Sequence, residues 1–129
     1  MNCVLVGDRH QGLGEGIRGL LESTFSAVVR VADAVSLVEG AARLQPEVVI
    51  VELALADGDL RRLVTALRGA APSAKVLLLS AHDQSGVAAL ALDAGVDGFV
   101  LKRLIAGDLL AAIDALLAGD RYVSSGVVV

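Results

Sequence analysis

Two short stretches near the start of the chain offer competing chemistry. Gly7-Asp8-Arg9-His10 sets a carboxylate beside a fixed cation, directly after the apolar run Val4-Leu5-Val6. A few residues on, Gly14-Glu15-Gly16-Ile17-Arg18-Gly19 spells G-x-G-x-x-G, the pattern of a dinucleotide-binding turn, and Asp33 follows at roughly the spacing of a ribose-binding acid. That fingerprint needs its first glycine immediately after the first strand, so that the backbone can approach a pyrophosphate. Here it begins at Gly14, inside a helix-period segment, which argues against nucleotide binding. The alternative is a glycine-loosened first helix, in which Gly12, Gly14, Gly16 and Gly19 each cost about 1 kcal/mol relative to Ala unless close packing recovers it. Charged and hydroxyl groups also follow later apolar runs: Glu52 after Val48–Val51, Ser80 after Val76–Leu79 and Lys102 after Phe99–Leu101. Each alone reads as a solvated strand end; in this order along one chain they converge on a single edge. His10 and His82 stand too far apart in the sequence to suggest a metal pair, and solvated or capping roles suit them.

The elements that must present these groups alternate. Short β-rich runs cover Cys3–Val6, Val28–Val31, Val48–Leu53, Lys75–Ser80 and Gly98–Leu101. Between and after them, helix-period segments cover Gly12–Ser23, Ala34–Leu44, Asp59–Gly69, Gln84–Ala94 and Ile105–Leu117. Strand and helix taking turns in this way predict βαβ crossovers and a parallel sheet. Pro46 and Pro72 punctuate helix-to-strand junctions, and Gly95 and Gly119 sit where a helix end wants a positive φ. The expected architecture is one α/β domain over residues 1–129, a doubly wound five-stranded parallel sheet. Its functional crevice lies at the carboxyl ends of the strands, where Asp8, Arg9, Asp33, Glu52, Ser80 and Lys102 fall.

The bulk numbers suit this. The 129 residues are 55% hydrophobic, 20% charged and only 2% aromatic, so Ala, Val, Leu and Ile must build the core. A net charge of -4 without a Lys/Arg stripe argues against nucleic-acid binding by this segment. The single cysteine, Cys3, excludes an internal disulfide, suits a reducing cytoplasm and reads as a buried small hydrophobe. No signal-peptide pattern or membrane-length apolar run is present, so a soluble cytoplasmic protein is expected. Gly126–Val129 ends without a terminating signal, which suggests a longer parent chain.

Five stretches carry a family resemblance: Val4–His10, Pro46–Leu53, Val76–Asp83, Ala94–Lys102 and Ala118–Ser124. Over essentially the whole length the chain resembles the receiver domains of two-component response regulators, of the NarL/LuxR subfamily with a helix-turn-helix output domain. The resemblance implies a flavodoxin-like fold, a phosphoacceptor position at Glu52, a switch hydroxyl at Ser80, an aromatic switch at Phe99 and a pocket lysine at Lys102. It places a DNA-binding module beyond Val129.

The departures from that family bear on function. A working receiver holds Mg²⁺ between an acid after the first strand and its acceptor aspartate. Here Asp8 is followed by Arg9 where the second acid is usual, and Glu52 replaces aspartate. Two like charges about 4 Å apart repel by roughly 4 kcal/mol at an effective dielectric near 20, so Mg²⁺ binding is expected to be weak or absent. Glutamate's extra methylene misplaces the nucleophile, and an error near 1 Å costs about a hundredfold. The degenerate acidic pocket of Asp8, Arg9 and Glu52 is then expected to be held by an ion pair from Glu52 to Lys102 or Arg9. That pair acts either as a structural salt bridge or as a partial mimic of a phosphorylated acid.

The expected role is a phosphorylation-independent receiver, not an enzyme, without catalytic residue, metal or cofactor. It would work by association, with a small ligand at Asp8, Glu52, Ser80 and Lys102 as one form of input. The alternatives are a receiver still accepting a phosphoryl group from a histidine kinase and, from another class, a nucleotide-binding Rossmann-like enzyme. Gln84–Leu92 is nearly uncharged, and the fifth helix carries only Asp108 and Asp114, so apolar partner faces are expected. The expected partner is a second copy, through helices 1 and 5 or through the helix 4–strand 5–helix 5 face, with a heteromeric regulator as the alternative.

Overall fold

The computed structural model describes residues 2–9, 11–81 and 86–124, with backbone alone for 11–15. Expectations for His10, His82, the Gln84-Ser85 start of the fourth helix and Gly126–Val129 fall outside the described residues. The elements are β1 (Cys3–Gly7), α1 (Gln11–Glu22), β2 (Ala27–Val31), α2 (Ala34–Leu44), β3 (Val48–Glu52), α3 (Leu60–Ala70), β4 (Lys75–Ser80), α4 (Val87–Asp93), β5 (Gly98–Leu101), α5 (Ile105–Leu117) and β6 (Tyr122–Val123). Single 3₁₀ turns follow β3 at Leu53–Ala56 and β5 at Lys102–Leu104.

All pairings are parallel, and the sheet runs β2-β1-β3-β4-β5-β6. The chain steps from β1 outward to β2, then crosses back over β1 to lay down the remaining strands. Strand order therefore reverses between β1 and β3, and the loops after those two strands open a crevice. Both faces of the central strands are covered, which is why they read as unbroken Val/Leu/Ile runs. Leu5, Val49, Val51, Leu78, Phe99 and Leu101 bury against α2, α3 and α4. Val4, Val6, Ile50, Leu77, Leu79 and Val100 bury against α1 and α5.

Local chemistry sets the element ends. Asp33 caps α2, its carboxylate accepting from the Ser36 amide at 2.7 Å, and Asp59 caps α3 from the Arg62 amide at 3.1 Å. Gln45 takes the left-handed conformation just before Pro46, while Gly95 and Gly119, at φ 103° and 90°, close α4 and α5 as expected. At the end of β1, Gly7 allows a close approach: a Cβ there would stand 2.8 Å from Leu55 and 3.0 Å from Leu37. Those two leucines bring the 3₁₀ turn and α2 down beside Asp8.

One expectation is corrected. The sheet has six strands, not five, because Tyr122–Val123 adds in parallel outside β5. Two residues cannot display a strand period, so side-chain anchors define this strand. Ser124 Oγ accepts from the Leu101 amide at 3.0 Å and donates to Asp108 at 2.7 Å, and the Ser124 amide donates to the Phe99 carbonyl at 3.0 Å. In α1 the outcome is as expected from the sequence. The G-x-G-x-x-G match lies wholly within this helix, and Asp33 is engaged as a helix cap, so the geometry of a dinucleotide turn is not formed. Gly16 and Gly19 do not pack closely either; a Cβ at either position meets nothing within 4 Å.

Gly16→Ala and Gly19→Ala are therefore each expected to raise the unfolding free energy by about 0.5–1 kcal/mol, read from urea midpoints. The Tyr122 phenol is pushed above the ordinary tyrosine value by burial, then by donating to Asp108 and by that carboxylate's charge. As the chain's one tyrosine, it can be titrated alone by ultraviolet absorbance. Its midpoint should lie above about 10 in the folded protein and fall in Asp108→Asn. The raised folded value favours folding fully below the unfolded value, and that contribution is lost as pH climbs through the folded one.

Candidate functional site

Side chains alternate between the faces of a strand, and this sorts the groups at the carboxyl edge. Asp8 continues the face of Val4 and Val6, with its amide donating to the Val31 carbonyl at 3.0 Å, so the β1–β2 ladder runs one residue past the strand. Glu52 continues the face of Val48 and Ile50, and Arg30 shares the face of Val28. These three point toward the α1/α5 side. Ser80, in step with Val76 and Leu78, belongs to the opposite side. Asp8, Glu52 and Ser80 are all buried, at 1%, 3% and 1% exposure; for the two carboxylates this is unusual and implies compensating cations.

One such cation is Lys102, whose Nζ donates to Glu52 Oε1 in a close ion pair. Of the two partners that the sequence suggested for Glu52, this is the one found. The pair lines a cavity of about 200 Å³ together with Leu53, Ala54, Leu79 and Ala81. That volume suits a small molecule, below the roughly 300–1,000 Å³ of sites for larger ligands.

The cation beside Asp8 is not the expected one. Arg9 lies in the bend after β1 and turns outward, pairing with Asp57 at 2.7 Å, with both side chains exposed. A guanidinium on a long stem finds water and a carboxylate there without desolvation. The group facing Asp8 is Arg30, whose Nη2 donates to the Asp8 carbonyl at 2.8 Å while Nε stands 3.9 Å from Asp8 Oδ2. Sequence reasoning passed over Arg30. The available signal was a lone cation inside the apolar run Val28-Val29-Arg30-Val31. Phe99 is fully buried in the α2–α4 core, and Leu101, two residues on, is tied through its amide to Ser124.

Two other residues are accounted for locally. Asp33 has its carboxyl held low by the Ser36 amide and hydroxyl bonds. Cys3 is buried, and its thiol is pushed up by that burial and by the Glu47 charge, the environment of an inert thiol.

A hard dication seeks several unencumbered oxygen ligands. The donors here are two carboxylates, one against an ammonium and the other against a guanidinium. Among the described residues no group of three or more His, Cys, Asp or Glu could hold a metal. The described residues do not fit Mg²⁺.

A parallel sheet of this order, with acids at the ends of β1 and β3, a hydroxyl after β4 and a lysine after β5, defines a receiver-type signalling module. The chain belongs to the response regulator receiver domain family, whose model matches residues 4–114. It is 31% identical to the response regulator protein VraR of Staphylococcus aureus, covering 98% of this chain and 61% of that protein. It is 27% identical to the transcriptional regulatory protein DegU of Brevibacillus brevis, covering 93% of this chain and 52% of that protein. In structure it is similar to the non-phosphorylated receiver domain of RcsB from Escherichia coli, with a TM-score of 0.83 and 26% identity over 96% of this chain and 98% of that one. The chain thus spans about half to three-fifths of the curated relatives' length. Among the described residues no helix is long and apolar enough to cross a membrane.

Removing the ammonium while leaving the acid should be costly, because a buried carboxylate loses its counter-charge. Lys102→Met is expected to lower stability by about 3 kcal/mol, and the double change Glu52→Gln with Lys102→Met to recover most of it, as read by urea unfolding.

Proposed function

We propose that this domain is the receiver of a transcriptional regulator and works without phosphorylation, its pocket held by protein charges in place of metal and phosphate. The observation that carries the reading is the Glu52–Lys102 ion pair. The carboxylate at the acceptor position is buried and already neutralised, and its extra methylene sets the oxygen away from the line of attack a phosphodonor needs. A single carboxylate offers less charge than a phosphoryl group and lacks its three oxygens, so the pair serves to hold one conformation and does not reproduce full activation.

On this reading the output is association with a second copy. Leu117 on α5 and Leu90 on α4 are large exposed apolar side chains. The faces open to such a dimer are α1–α5 and α4–β5–α5, with β6 lying along the outer side of β5. DNA binding would belong to a part of the protein outside these residues. The support is the name transcriptional regulatory protein borne by one relative and the greater length of the relatives.

Incubation with Mg²⁺ and a small acyl phosphate, followed by intact mass measurement, tests the proposal. The expected result is no gain of about 80 Da. A stoichiometric gain located on Glu52 would overturn it and return the domain to phosphoryl control.

A further inference from the structure

We propose that Arg30, on β2, is the built-in cation that takes the place of a divalent metal in this pocket, and that it keeps the Asp8–Glu52 edge refractory to metal ions. The inference rests on the phosphorylation-independent reading above and names the residue responsible. The sequence alone directs attention to Arg9, but the Arg9 guanidinium is turned to Asp57 at 2.7 Å and is 44% exposed. Arg30 instead donates to the Asp8 backbone carbonyl at 2.8 Å and stands opposite its carboxylate at 3.9 Å, an ion-pair distance too long for a hydrogen bond.

Two features make Arg30 a better stand-in for a metal than Lys102. It projects from a sheet strand in fixed register, with Arg30 paired to Val6 two residues before Asp8, so its stem starts from rigid backbone on the correct face. Its guanidinium stays charged at any physiological pH and spreads donors across a plane, so it can hold a carbonyl and face a carboxylate together. Arg30 and Asp8, at 26% and 1% side-chain exposure, are shielded about as well as Lys102 and Glu52, at 21% and 4%, so water screens either charge poorly. A dication entering beside Asp8 would meet this fixed positive charge at short range. The Lys102 ammonium, on a flexible stem and engaged with Glu52, can move aside more easily.

The test uses the whole 129-residue chain and Mn²⁺ alone as probe, with free Mn²⁺ followed by electron paramagnetic resonance. Wild type and Arg9→Gln are expected to show no saturable binding at millimolar Mn²⁺. Arg30→Gln should gain affinity by about tenfold or more, the scale on which groups around a metal ligand act. Adding Asp8→Asn to Arg30→Gln should abolish the gain. Arg30→Met keeps the apolar stem and serves if the glutamine variant fails to fold by circular dichroism. Arg30 variants that fold and still ignore Mn²⁺, or a gain in Arg9→Gln equal to theirs, would overturn the inference while leaving a metal-refractory wild type intact. Tight Mn²⁺ binding by wild type together with phosphorylation would instead sink the reading on which it rests.

Discussion

Side chains along a parallel strand alternate between two covered faces, and at the carboxyl edge this alternation decides which charges can meet. Asp8 and Glu52 come from neighbouring strands and fall on the same face, between strand ends separated by the topological reversal. Two carboxylates buried side by side repel, and each also loses hydration, so neither would persist there without a cation. The structure supplies two, one from the far edge of the sheet and one from the end of β5. The arrangement reads as two ion pairs set side by side, with the sheet as the frame that keeps their spacing.

This arrangement also explains why the pocket is coherent although it departs from its family's usual chemistry. A metal site tolerates clustered acids because the ion neutralises them. A chain without that neutralisation must remove acids, add cations, or do both. Here an arginine stands where a second acid is usual, a second arginine reaches in from β2, and the remaining acceptor-position carboxylate is matched to lysine. Each substitution reduces the demand for an external ion, and together they leave no unencumbered ligand set among the described residues.

Much of the fold was legible in the sequence. The bounds of α2, β4, β5 and α5 coincide with the runs read from periodicity, because proline and glycine punctuate their ends and each run is long enough to show its period. Family membership was legible as well, since all its motif stretches except Ala118–Ser124 lie within the residues that the family model covers. What escaped was lateral. Linear order puts Arg9 beside Asp8, but it cannot show that the long side chain leaves for Asp57, nor that Arg30, far along the chain, arrives in its place. The contact between β1 and β2 is a pairing register, and register follows from three-dimensional packing more than from neighbouring residues. The two-residue β6 was hidden for the converse reason: it is defined by anchors to Asp108, Leu101 and Phe99, none of them local in sequence.

The short outermost strand has one consequence for solubility. A sheet rim normally displays unpaired amide and carbonyl groups that invite pairing with another molecule. Tyr122 and Val123 lie along that rim, and the Ser124 hydroxyl fastens them to a helix and to the strand beneath. A polypeptide cut back to Arg121 would keep nearly all of its core yet expose that naked border, becoming sticky without becoming unfolded.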